Sequence, residues 1–97
     1  MHYRRRRHVT RRTVDLLTRN GRCRGVLRDI SEGGARVDCR TRIGPAALVA
    51  VSIPGAEAEA EVRWIAEGRL GLQFLRDLLP ETLDLMLAGG DTPVRTG

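Results

Sequence analysis

The stretch "TVDLLTRNGRCRGVLRDISEGGARVDC", residues 13–39, decides the fold. Val14 and Leu16 share one face of an extended segment, 13–18. Asn20-Gly21 follows, the strongest short hairpin signal a sequence can carry. Residues 22–30 then return as a second strand, with Gly25 placed for a bulge. "SEGG" (31–34) reads as another tight turn. In "ARVDC" (35–39), Ala35, Val37 and Cys39 alternate with Arg36 and Asp38, so one side faces a core and the other faces water.

The same grammar continues downstream. Residues 40–46 read as loop, and "ALVAVSI" (47–53) is a fourth strand ended by Pro54-Gly55. "AEAEAEVRWIA" (56–66) has the composition of a helix, but its strict period of two favours a strand. That period puts Trp64 inside with Val62, a ligand-adjacent or partner-facing place being the alternative. It turns Glu57, Glu59 and Glu61 outward, as a solvated face or as a recognition surface. "RLGLQF" (69–74) makes a sixth strand. Residues 78–90 carry Leu79, Leu83, Met86 and Leu87 at helical spacing, with Pro80 and Glu81 suited to a first turn and Gly89 or Gly90 to an end. The expectation is an all-β protein: a six-stranded antiparallel β-barrel whose open end a C-terminal helix covers. Closure removes unpaired sheet edges, which matters in so small a domain.

The 97 residues allow one modest core, and 3% aromatics make it an aliphatic one. No apolar run approaches the ~20 residues of a membrane span. "MHYRRRR" has no apolar stretch behind it and does not read as a signal peptide, so a cytoplasmic location is expected. Cys23 and Cys39 form no CxxC and read as small buried or half-buried thiols; with His2 and His8 alone they make no metal set, and no cofactor is expected. Charge is segregated. Residues 1–28 hold ten arginines and one aspartate, net +9, and residues 29–97 are net −4. Every basic residue is arginine, whose planar fork fits phosphates and the edge of guanine.

Two motifs carry chemistry. Arg7-x-x-x-Arg11, with Arg6 just before it, lies in the arginine-rich segment 1–12. Asp29-x-Ser31-x-x-Gly34, with Gly33 between, closes the second strand. A hairpin brings Asp29 near the start of the first strand, and therefore near those arginines. Arginine forks donate to phosphate or guanine, and a carboxylate accepts from guanine's ring N–H and amine. Ser31 and the backbone of the glycine turn suit a further anion. Arg36, Arg40 and Arg42 follow the turn and are candidates to extend the site. Each motif alone has a plainer reading, the first as a solvated tail and the second as a turn whose side chains cap its own backbone.

Arg-x-x-x-Arg followed by "DISEGG", then "EVRW", "GLQF" and a leucine-rich helix, resembles the PilZ domain family, bacterial receptors for cyclic di-GMP. The resemblance spans nearly the whole chain. It implies the six-stranded barrel, a grip on guanine and phosphate by Arg7 and Arg11, and a second wall of Asp29, Ser31 and Gly34. It also implies that an arginine at the Arg6 position goes with two intercalated ligands, one ligand per site being the other option. Arg5 and Arg12 leave the register of the arginine motif open.

The division expected is a flexible segment 1–12, a barrel with helix over 13–90, and a loose tail 91–97. Ligand would order the segment, at about 10 kcal/mol of backbone entropy, offset by charged hydrogen bonds of about 1.5–3 kcal/mol each. An unidentified downstream protein would read the change. Two other functions fit the sequence: a nucleotide-independent interaction domain, and a nucleic-acid-binding barrel with an arginine arm, the latter disfavoured by scarce aromatic platforms. No catalytic constellation is present, so an enzyme is not expected.

Overall fold

The hairpin that opens the chain is built as its turn chemistry dictates. In the computed structural model, which describes residues 6–88, β1 (His8–Thr18) and β2 (Gly21–Ile30) pair antiparallel around Arg19-Asn20. Gly21 takes φ +119°, and the Thr18 hydroxyl receives the Asn20 N–H at 3.0 Å. β3 (Gly34–Asp38), β4 (Leu48–Ile53), β5 (Ala56–Ala66) and β6 (Arg69–Phe74) follow, and α1 (Pro80–Ala88) ends the described chain. The strands close in the order β1-β2-β3-β6-β5-β4, all neighbours antiparallel.

The core is aliphatic. Leu16, Leu27, Ile30, Val37, Val51, Val62 and Leu70 fill the barrel from all six strands, and Phe74 is the one aromatic in the core among the described residues. Fully burying each large aliphatic side chain contributes about 1.5–3 kcal/mol. Met86 on α1 is completely buried, with Leu83 and Leu87 partly so, and this stripe rests on β1 and β5. Leu79 precedes the helix and stays largely exposed, because the chain has not yet turned its stripe inward.

Three local features depart from the sequence reading. First, β1 starts at His8, not at Thr13, so half of the arginine-rich segment belongs to the sheet: His8 pairs with Ile30 and Val9 with Asp29. Backbone ladders need no apolar alternation, which is why the pattern gave no sign of it. Second, Trp64 is outside the barrel. The register slips between Val62 and Trp64, so Arg63 is an extra residue and the side chain after it changes face. Third, Cys23 and Cys39 bring their sulfurs together between β2 and the residue after β3, a proximity their sequence spacing does not announce. Residues 1–5 and 89–97, with the expected tail and the helix-ending glycines, lie outside the described residues.

β1 has unequal neighbours. It pairs with β2 along nearly its full length, but with β4 only from Asp15 to Leu17. The barrel closes through that short seam.

Candidate ligand site

Sheet register assembles the site. Val9 pairs with Asp29, Asp29 with Arg36, Arg36 with Gly71, and Gly71 with Trp64. One row thus crosses β1, β2, β3, β6 and β5 on the outside of the barrel. Bulges between Val9 and Arg12, between Leu27 and Asp29, and between Val62 and Trp64 put these side chains in phase.

Asp29 sits at the centre, 2% exposed. The Arg7 Nη1 donates to its Oδ1 at 2.6 Å, and the Arg36 Nε donates to its Oδ2 at 2.6 Å. A second Arg36 nitrogen, Nη2, also meets Oδ2. Burial alone would raise the Asp29 pKa, but the hydrogen bonds and charges of Arg36 and Arg7 outweigh it and hold the group below its ordinary value. Asp29 is therefore ionised at neutral pH.

The turn behind it is tight. The Ser31 N–H donates to the Gly34 carbonyl at 2.8 Å, and the Gly33 N–H donates to the Ser31 hydroxyl at 3.3 Å. Ser31 is buried and serves its own turn in this state. Neither Gly33 nor Gly34 has a positive φ. Gly34 is required by crowding: a Cβ there would stand 2.5 Å from the Leu72 carbonyl oxygen. Gly71 likewise leaves room for a neighbour, since a Cβ would fall 2.1 Å from atoms of the Trp64 indole. The indole lies across β6 at this glycine with 42% of its surface exposed.

Arg7, Arg36, Arg63 and Trp64 line a hollow of about 390 Å³ floored by Ala35, Gly71 and Leu72. Beyond Arg36 and Trp64 a larger cleft of about 900 Å³ runs past Thr13, Val26, Asp38 and Arg69 to Arg40 and Gly68. The arrangement offers guanidinium groups on several sides, one buried carboxylate, and an aromatic face. That suits a planar heterocycle carrying phosphate.

Of the residues singled out in the sequence, Arg7, Asp29, Ser31, Gly33 and Gly34 come together at one end of the barrel. Arg6 and Arg11 are exposed, and their side chains have no ion pair among the described residues. Arg11 lies in the β1 bulge, whereas Arg12 pairs with the inward-facing Leu27 and buries its Nε without a partner. Arg36 joins the site and Arg40 lines the larger cleft; Arg42 lines neither hollow. Arg63 and Gly71 carry no site signal in the sequence, and an outward Trp64 is there only the alternative to a core place, because a single bulge decides all of them.

A closed six-stranded antiparallel barrel with a C-terminal helix, and a basic site on its outer wall beside the β2–β3 turn, defines a known class of binding module. The chain belongs to the PilZ domain family, whose model matches residues 2–88. The family's general role is that of a cyclic di-GMP receptor, and its members are binding and regulatory domains. The crystal structure of the PilZ domain of CeSA from a cellulose-synthesizing bacterium has a similar fold, with a TM-score of 0.64 and 22% identity over 84% of this chain and 94% of that one. A comparison with curated proteins returns no match. Among the described residues no cluster is gathered to hold a metal ion, and no helix is long and apolar enough to cross a membrane.

Proposed function

We propose that this chain is a receptor for cyclic di-GMP, with Arg6, Arg7, Arg11, Asp29, Ser31, Gly33 and Gly34 as its ligand-binding residues and Arg36, Arg63 and Trp64 beside them. The observation that carries the reading is the buried, ionised Asp29 held by arginines in a row that ends on an exposed indole. A carboxylate so placed can accept guanine's ring N–H and amine once Arg7 turns from it to a phosphate. Trp64 and the guanidinium planes offer stacking faces for purines. The two hollows flanking Arg36 and Trp64 support two intercalated ligands.

The response is a population shift. Ligand fixes residues 6–12 across the outer wall and exchanges the Arg7–Asp29 pair for ligand contacts. A downstream protein reads the new surface. Titration calorimetry with cyclic di-GMP, with GTP as control, tests this. Saturable binding to cyclic di-GMP alone, lost in Arg7→Ala and Asp29→Ala, is expected, and a ratio near two supports the intercalated pair.

One observation favours a second reading, a nucleotide-independent interaction domain. Asp29 already has two arginine partners without ligand, so the trio can be structural. A flat titration from folded protein would select that reading. An arginine arm for nucleic acid would instead show affinity collapsing with salt.

A further inference from the structure

Opposite in character to the arginine site is a groove of about 510 Å³ between β5 and the start of α1. Its walls are Glu57 and Glu59 on one side and Leu75, Leu79 and Thr82 on the other, with Arg76 and Asp77 at its rim. Leu75 is 50% exposed and Leu79 is 61% exposed. Glu57 and Glu59 make no ion pair among the described residues. Their cross-strand neighbours are Ser52 and Ala50, which carry no charge. With Glu57, Glu59 and Asp77 against the single arginine Arg76, the groove is net acidic beside exposed leucines, in a chain that carries 17 arginines.

The groove is also tied to the turn that carries Ser31. The Phe74 N–H donates to the Gly33 carbonyl at 2.9 Å, and the Leu78 N–H donates to the Glu32 carbonyl at 2.8 Å. On its other flank the Leu75 N–H donates to the Glu59 carbonyl at 3.0 Å. The linker 75–79 is thus strapped between the Ser31–Gly34 turn and β5. The groove's leucines and the turn therefore share one set of main-chain bonds.

We propose that this groove docks a cationic segment of another protein, one with basic side chains on either side of an aliphatic or aromatic anchor. Glu57 and Glu59 take the basic groups, and Leu75 and Leu79 take the anchor. Charge complementarity selects this class of occupant: an acidic or purely apolar segment would leave the glutamates facing like charge or stripped of water. A second copy of this chain also offers arginines, and the self-association measurement below separates that occupant.

The probe is a short amidated peptide with leucines set between arginines, and its control has glutamates for the arginines. Each is titrated into the full isotope-labelled chain without nucleotide, and amide shifts are followed by NMR. The proposal expects shifts gathered at residues 57–59 and 75–82, with lesser ones at 31–34, and none with the control. It expects Glu57→Lys with Glu59→Lys to weaken binding about tenfold or more, since two exposed pairs are reversed. Leu79→Ser should weaken it separately. Both changes are at exposed positions, and the amide spectrum reports whether the fold is kept. Shifts scattered over Glu67, Glu81 and Asp84 as well, or an affinity indifferent to the double reversal, would overturn the proposal. So would concentration-dependent self-association abolished by the reversal, which assigns the groove to a second copy. Omitting nucleotide keeps this result independent of whether cyclic di-GMP binds.

Discussion

Replacing Asp29 by Asn separates charge from shape at the centre of the site. The carboxylate is buried but its partners are not: the Arg7 and Arg36 side chains are 51% and 45% exposed. Loss of a partner in a fully buried pair costs about 3–5 kcal/mol. Here the orphaned guanidinium groups can be rehydrated, so the charged hydrogen bonds count at a discount, and about 1.5–3 kcal/mol is expected at neutral pH. For a domain of this size that is a fall in Tm of order 10 °C. The sign with pH is fixed by the lowered native pKa. A depressed carboxylate contributes stability above its unfolded pKa of about 3.9, and the contribution fades as pH falls through the native value. Asp29→Asn should therefore lower Tm at pH 7 and converge on the parent protein in acid. Thermal unfolding followed by circular dichroism between pH 7 and pH 2 measures both. Parallel curves, or an unchanged Tm at pH 7, would refute the reasoning that Asp29 is an ionised, arginine-held group.

Trp64→Ala should cost well under the 3–5 kcal/mol of a core tryptophan, because the indole lies outside the barrel, while cyclic di-GMP binding weakens; calorimetry and melting measured together separate the effects. Gly34→Ala should destabilise by about 1–3 kcal/mol, since its Cβ meets a backbone carbonyl that cannot move aside, and urea unfolding reads the loss. Arg11→Ala should leave stability within about 0.5 kcal/mol yet reduce nucleotide affinity, as expected for an exposed side chain without a protein partner.

The barrel was legible because its strands are short, alternate cleanly and end in turn-forming pairs. Ala35-Arg36-Val37-Asp38, Val49 to Ile53 and Leu70 to Phe74 each name their inner face residue by residue. Asn20-Gly21 set the first hairpin, and that hairpin brought Arg7 to Asp29. The misses lie where side-chain alternation carries no information. A period-two pattern holds only while the register holds, and one extra residue at Arg63 turned Trp64 from core to surface. The strand from His8 to Arg12 is held by main-chain pairing with Asp29 and Ile30, to which side-chain patterns are blind. Arg36 was a candidate for the anion site, but its grip on Asp29 depends on the bulge between Leu27 and Asp29. The nearness of Cys23 to Cys39 depends on where β2 and the end of β3 meet in space.

The short seam between β1 and β4 alters the energetics of any response. A strand stitched on one side over its length, and on the other only from Asp15 to Leu17, can lift away at its N-terminal end without opening the barrel. Hydrogen exchange at His8 to Arg12 should then be faster than at Val14 to Leu16. The ordering cost for the arginine segment is smaller than a wholly free arm would face, because His8, Val9 and Arg12 already pair with β2. At about 1–2 kcal/mol of backbone entropy per residue, each residue paired there lowers the entropic cost of closing over a ligand. A zip half closed at rest is finished by a weak pull.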